Sequence, residues 1–348
     1  MADIGKRKQD HLDLATKGDV GFLRTTTLFE CVKFVHDSLP ELDFANLDTS
    51  CEVLGKRLKA PLLIAGMTGG TERAEAINRE LATIAEERGY AFGLGSQRPM
   101  LKNPATLATY AVREHAPTTL IFGNLGVVQT SKLPTAEVDT LVKLVRADAL
   151  CVHLNPAMEL VQREGDRDFR GGLATFERLT RELSVPVIAK ETGSGISGSV
   201  AQRLAAAGVR HVDVSGAGGT SWVAVEMQRA EGTAKSVGET FRDWGIPTAA
   251  SVALVARQRF ETVIATGGIG SGLDVAKAIA LGATLGGIAR PALQALETGG
   301  RAGALAFFDR IEAELKTAML LVGASKLAAL REVPRIVGGE LAEWLRHV

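Results

Sequence analysis

Between about residue 60 and about residue 290, short apolar runs alternate with amphipathic stretches of about ten residues or more. The runs are Pro61–Gly66, Tyr90–Gly95, Thr119–Gly123, Ala149–Leu154, Pro186–Lys190, His211–Val214, Thr262–Thr266 and Thr284–Ala289. Helix-like segments such as Ala74–Arg88 and Asp274–Leu281 stand between them. An apolar run, a crossover helix and another apolar run is the pattern of parallel strands. Eight such units predict an α/β fold that closes into a (β/α)8 TIM barrel, with an open doubly wound sheet as the alternative. A length of 348 residues suits a single barrel domain. A polar arm and a mixed segment occupy residues 1–59. A tail over 300–348 carries Ala304, Leu305, Phe307 and Phe308, then Leu315, Met319, Leu320 and Leu321, at the spacing of packing helices.

The strands predicted here end unlike they begin. Their C-terminal ends read Gly66-Met67-Thr68-Gly69-Gly70, Gly95-Ser96-Gln97-Arg98, Gly123-Asn124-Leu125-Gly126, His153-Leu154-Asn155, Lys190-Glu191-Thr192-Gly193, Ser215 to Thr220, Gly267-Gly268-Ile269-Gly270 and Ala289-Arg290. In a barrel all of these converge on one face, where active sites sit. A single glycine after a strand marks only a tight turn; eight polar ends on one face point to an enzyme.

Several of these ends suit particular ligands. The glycine-rich stretch after the seventh run, with Gly268 and Gly270, and Ala289-Arg290 after the eighth form a candidate phosphate site, because backbone N–H groups and a helix N-terminus attract anions. Lys190 ends the fifth run and points at the mouth, where it would stabilise negative charge on a ligand. Small residues from Ser215 to Gly219 let the backbone approach a flat ligand, and Thr220 offers a hydroxyl. Trp222 is a substrate wall or a packing residue, and Glu226 shares its face if a helix begins there. His153 and Asn155 alternate on one face, and the carboxylate of Glu159 suits a hard cation such as Mg²⁺. In the arm, Arg7 and His11 stand at i and i+4 on one helical face, beside Lys8; with Arg98 they are placed to clamp a diphosphate.

Composition narrows the classes. The chain has 40 basic and 40 acidic residues, with no basic stripe, so nucleic acid is not an expected partner. Three cysteines, Cys31, Cys51 and Cys151, occur without a C-x-x-C pair. That argues against a disulfide scaffold or a cysteine-bound zinc and fits a reducing cytoplasm. The opening MADIGKRKQDHLDLA lacks the apolar core of a signal peptide, and no apolar run approaches the length of a membrane span.

Together the segments resemble the FMN-dependent, type 2 isopentenyl-diphosphate isomerases over nearly the whole chain. The shared motifs are R-K-x-x-H (Arg7, Lys8, His11), R-T-T-T (Arg24 to Thr27), G-M-T-G-G (Gly66 to Gly70), G-S-x-R (Gly95 to Arg98), N-L-G (Asn124 to Gly126), H-x-N-P (His153 to Pro156), G-D-x-D-F-R-G (Gly165 to Gly171), D-V-x-G-A-G-G-T-S-W (Asp213 to Trp222) and G-G-I-x-x-G-x-D (Gly267 to Asp274). Each is weak alone; their order and spacing carry the resemblance. It implies FMN across the barrel mouth, with Gly66, Met67, Thr68, Ser96, Asn124, Lys190, Ser215 and Thr220 at its ring and ribityl chain and Gly268, Gly270, Ala289 and Arg290 at its phosphate. Lys190 would lie beside the flavin pyrimidine. It also implies interconversion of isopentenyl and dimethylallyl diphosphate on reduced FMN with Mg²⁺, NADPH as reductant, and a homo-oligomer of four or eight copies. Arg7, Lys8, His11, Ser96, Arg98, His153 and Asn155 would hold the substrate, Glu159 the metal, and Met158, Glu226 and Trp222 would stand at the reacting end.

One departure matters. The family reads H-x-N-P-x-Q-E, whereas this chain has Met158 in place of the glutamine. A thioether has neither an N–H donor nor a carbonyl acceptor. Three readings follow: the flavin carries the protons and the glutamine is dispensable; Gln162, four residues on, substitutes; or the chain acts on a related prenyl or other diphosphate. Two further hypotheses compete with an isomerase. One is a flavin oxidoreductase, although the Ser215 to Trp222 loop lacks the cysteine a nucleotide dehydrogenase needs and His153 only partly meets the histidine requirement of a hydroxyacid oxidase. The other is a non-catalytic FMN or prenyl-diphosphate sensor.

Overall fold

All eight apolar runs form strands: β1 (Leu62–Ile64), β2 (Ala91–Gly93), β3 (Ile121–Gly126), β4 (Ala149–Leu154), β5 (Val187–Glu191), β6 (His211–Asp213), β7 (Thr262–Ala265) and β8 (Leu285–Ile288). The computed structural model, which describes residues 4–347, closes them into a barrel in sequence order. The ring shuts where Gly286, Gly287 and Ile288 of β8 pair in parallel with Leu62, Leu63 and Ile64 of β1. That closure excludes the open sheet.

Alternation along each strand sorts the side chains into two cores. Leu62, Ile64, Phe92, Ile121, Val152, Val187, Val212 and Val263 pack outward in the large cluster shared with the helices. Leu63, Ala91, Phe122, Ala149, Cys151, Ile188, Ile264 and Leu285 fill the barrel. Both faces are covered, which is why the strands read as continuous apolar runs. A hairpin of Cys51–Val53 and Lys56–Leu58 adds Val53 and Leu58 to the interior cluster.

The inward parity also positions the site. Two residues beyond Phe122, Cys151, Ile188, His211, Ile264 and Leu285 stand Asn124, His153, Lys190, Asp213, Thr266 and Gly287. A polar layer therefore rests on an apolar plug. In register, Lys190 lies beside His153 on one side and Asp213 on the other.

Three further helices matter here: α1 (Ile4–Lys17), α2 (Pro156–Val161) and α3 (Trp222–Arg229). Ser221 starts α3 by accepting the Ala224 N–H at 3.1 Å, which sets Trp222 and Glu226 in helical spacing. A fourth, α4 (Arg290–Leu321), bends at Gly300, whose backbone there is not helical. The tail differs from the helical expectation. Arg335–Val337 is a strand, paired antiparallel with Val32–Phe34 of the arm segment. Its partner lies about 300 residues away, so local periodicity could not reveal it.

Candidate functional site

A cavity of about 440 Å³ opens at the C-terminal ends of the strands, with α1 along one wall. That volume lies in the range of small-molecule sites, roughly 300–1,000 Å³. Arg7, Lys8 and His11 reach it from α1, and Gly66, Met67, Thr68, Ser96, Arg98, Asn124, His153, Asn155, Met158, Glu159, Lys190, Ser215, Thr220, Trp222, Gly268, Ala289 and Arg290 line it from the barrel side. The structure thus brings together all but two of the residues singled out from sequence. Gly270 is not in the wall; its amide donates to Asp274 Oδ2 at 3.1 Å, within its own loop. Glu226 is also outside the wall, buried behind His11, whose Nε2 lies 2.7 Å from Glu226 Oε1.

The barrel side of the cavity is linked by side-chain hydrogen bonds. Lys190 Nζ donates to Asp213 Oδ2 at 2.6 Å and to Thr266 Oγ1 at 3.4 Å. Thr266 in turn donates to Asp213 Oδ1. The next residue, Glu191, takes the amides of Thr192, Gly193 and Ser194 on one oxygen and fixes the turn beyond Lys190. Asn124 Oδ1 meets His153 Nδ1 at 2.7 Å. His153 is pushed down to about 3 by burial first, then by the charges of Lys8, Lys190 and Arg98. It is therefore neutral, and with Asn124 Oδ1 as acceptor its Nδ1 carries the proton.

Glycines open the far rim. A Cβ on Gly219 would lie 2.3 Å from the Gly268 amide nitrogen, and one on Gly287 would lie 2.1 Å from Thr266 Cγ2. No hydrogen bond to protein is made by the amides of Gly268, Ile269 or Ala289 among the described residues. Thr68 Oγ1 is buried without a partner. An unfilled hydroxyl, free amides beside the start of α4 and a groove that only glycine leaves open suit a planar ligand with a phosphate. FMN fits this set. Arg290 is placed differently from expectation. It lines the cavity, but its Nε donates to Ala15 O at 2.9 Å and its Nη2 to Gly18 O at 2.7 Å. It thereby satisfies orphan carbonyls at the end of α1, and Gln294 does the same for Thr16 O at 3.1 Å.

The opposite end is cationic. Burial first, then Arg98 and other cations, lowers Arg7, while Glu226 and Glu159 partly offset this. Lys8 falls to about 8 through burial and then the charges of Arg7 and Arg98. Lys8 Nζ makes no hydrogen bond or ion pair among the described residues, and Arg7 Nε is buried without a partner. Arg98 has only a loose contact with Asp166, at 3.7 Å. Crowded cations with so few close carboxylate partners are costly to bury, and a polyanion relieves them.

Helix α2 supplies the neighbouring wall. Glu159 Oε1 accepts from Asn155 Nδ2 at 2.9 Å and Oε2 accepts from the Asp166 amide at 2.8 Å. No group of three or more His, Cys, Asp or Glu residues is arranged to hold a metal among the described residues. Met158 lies in the wall near Asn155 Nδ2, 3.9 Å from its sulfur. Gln162, the C-cap of α2, is also in the wall and 4% exposed. With its amide turned so that each atom meets its complement, its oxygen accepts from Arg7 Nη1 at 3.1 Å and its nitrogen donates to Glu226 Oε1 at 3.2 Å. Burial alone would raise the Glu226 carboxyl, but the hydrogen bond and charge of His11, with Arg229, hold it below the usual carboxylate range. Burial likewise lowers His11, against the pull of Glu226. Within the pair, Nε2 of His11 donates to the Glu226 carboxylate at 2.7 Å. The His11 ring packs edge-on to Trp222 at 5.3 Å between centroids.

The family model described as FMN-dependent dehydrogenase matches residues 129–335. Among solved structures, a lactate oxidase from Pediococcus acidilactici superposes with a TM-score of 0.69 at 16% identity, over 96% of this chain and 93% of that one. A mandelate oxidase holding an FMN adduct gives 0.65 at 18%, over 94% and 95%. At such identity these two show the barrel alone. Full-length sequence similarity is closer. An isopentenyl-diphosphate delta-isomerase of Halobacterium salinarum is 45% identical over 98% of this chain and 96% of its own length. That of Nostoc sp. is 44% identical over 95% of both chains. That of Synechococcus sp. is 50% identical over 85% of this chain and 86% of its own. Similarity of this depth, spread along the arm, the barrel and the tail alike, means that the chain belongs to the isopentenyl-diphosphate delta-isomerase family.

Proposed function

We propose that this protein interconverts isopentenyl and dimethylallyl diphosphate, using reduced FMN, Mg²⁺ and NADPH as the reductant, as a cytoplasmic homo-oligomer of four or eight copies. The observation that carries the reading is the cationic end of the cavity, where Arg7, Lys8 and Arg98 converge and the one ion pair among them is the loose contact of Arg98 with Asp166 at 3.7 Å. A diphosphate answers that charge. Met67, Met158 and Trp222 give the same cavity apolar surface for a five-carbon chain.

The reaction adds a proton to one carbon, removes one from another and moves the double bond between them, with no net redox change. Reduced FMN would supply an electron-rich face that stabilises cationic character, and a proton carrier. The residues of the chain bind and orient. Thr68, Asn124, Lys190 and the Gly268, Ile269 and Ala289 amides would hold the flavin, with Lys190 kept in place by Asp213. Arg7, Lys8 and Arg98 would hold the diphosphate, and His11, kept upright by Glu226, closes over it with Trp222. Glu159 would share Mg²⁺ with diphosphate oxygens, which suits a cation that keeps waters and needs few protein carboxylates.

The test is anaerobic reduction of the flavin-loaded protein with Mg²⁺ and isopentenyl diphosphate, followed by NMR. Formation of dimethylallyl diphosphate only in the reduced, metal-containing sample is the expected result. Flavin binding without turnover would refute the isomerase reading.

A further inference from the structure

We propose that Gln162 is a positioning residue: its amide is a neutral spacer that keeps Arg7 from pairing with Glu226 and so keeps Arg7 available to a diphosphate. The inference rests on the anion-binding part of the functional reading above.

Gln162 ends α2, where its own N–H donates to Met158 O at 3.0 Å, and its side chain turns back into the cavity wall rather than out to solvent. A buried amide is costly unless both its ends are satisfied. Here one end accepts from a cation and the other donates to an anion, at 3.1 and 3.2 Å. Arg7 and Glu226 make no direct ion pair among the described residues. Glu226 is instead held by Gln162 and His11 on Oε1 and by an ion pair with Arg229, whose Nη1 donates to Oε2 at 2.8 Å. The charge of Arg7 is thus left for the cavity that the residue lines, and its buried Nε lacks a partner.

Without the spacer, the guanidinium and the buried carboxylate would attract one another across a low-dielectric gap. A direct Arg–carboxylate pair is strong and frequently bidentate. Arg7 collapsed onto Glu226 would offer the diphosphate neither its charge nor its fork. The amide prevents this without adding charge of its own, which neither a carboxylate nor an apolar side chain at position 162 achieves.

The experiment is calorimetric titration of inorganic diphosphate into the full chain loaded with FMN at fixed Mg²⁺, for the unaltered protein, Gln162→Leu, Glu226→Gln and the double variant. Gln162→Leu is expected to bind diphosphate about tenfold to a hundredfold more weakly, the size of a lost hydrogen bond to a charged group. Glu226→Gln in the same chain is expected to restore most of that loss, because Arg7 then has no carboxylate to fall onto. Damage to packing alone would not be reversed by a second change. If Gln162→Leu does not fold, Gln162→Met, an unbranched side chain of similar length without the amide, is expected to show a similar loss, again reversed by Glu226→Gln. A folded Gln162 variant with unchanged affinity, or a loss that Glu226→Gln does not reverse, overturns the proposal. An unaltered protein that does not bind diphosphate overturns it together with the anion-site reading. Diphosphate binding with the expected rescue, but no isomerisation, leaves the role of Gln162 standing and removes only the reaction.

Discussion

Lys8 occupies an unfavourable electrostatic position, where burial comes first and the charges of Arg7 and Arg98 add to it, and it drops to about 8. The sign of the consequence follows directly. Its ammonium is present below that value and lost as pH rises through it, so anion capture weakens on the alkaline side. The profile of kcat/KM, which reports the free enzyme, is expected to fall above about pH 8. Lys8→Met is expected to flatten that limb and lower the plateau; an unchanged alkaline limb in Lys8→Met would assign it to another group. Met158 makes a second residue-scale prediction. A positioned proton carrier contributes roughly 10²–10⁴-fold. If position 158 needed one, Met158→Gln would raise kcat by at least about a hundredfold. The expected change in the NMR assay is less than about tenfold, because this chain is fully a family member while carrying a thioether there.

At the scale of elements, the rim formed by the loops after β6 and β7 depends on missing side chains. Gly219→Ala would place a methyl 2.3 Å from the Gly268 nitrogen and push the two loops apart. It is expected to weaken flavin binding about tenfold or more, measured by quenching of flavin fluorescence, while the far-ultraviolet circular dichroism stays that of the parent. Retained affinity would mean that the rim does not cradle the cofactor. The same elements show what the sequence makes legible. Strands buried on both faces must be apolar throughout, so β1 to β8 stand out, and the polar residues two positions above Phe122, Cys151 and Ile188 inherit their inward direction. Contacts made across long separations leave no such trace. Glu226 lies behind His11, 215 residues away in sequence, and only folding decides which of the two reaches the cavity. Arg290 reads as a phosphate ligand from its place after β8, yet its guanidinium grips Ala15 and Gly18 at the end of α1. Gln162 shows as a spare amide, but its partners come from α1 and α3 and are invisible to local spacing.

At the scale of the molecule, Leu23, Phe241 and Trp244 expose apolar surface at one place on the flank, where Asp243 receives the Leu23 amide and the rings of Phe241 and Trp244 meet at 5.6 Å. Such patches commonly mark contacts between copies. Sedimentation velocity is expected to give a mass of four or eight copies, and a single-copy mass would end the oligomer proposal. No described helix is long and apolar enough to cross a membrane. Finally, α1 lies along the mouth with its far end tethered by Arg290 and Gln294, and its Asp10 bound to Arg229 at 3.1 Å. The cationic residues of that helix and the glycine rim line one and the same cavity. A guest that fills it touches the helix and the barrel at once, so occupancy fastens the arm to the barrel, and the loaded protein is expected to hold α1 against unfolding more firmly than the empty one.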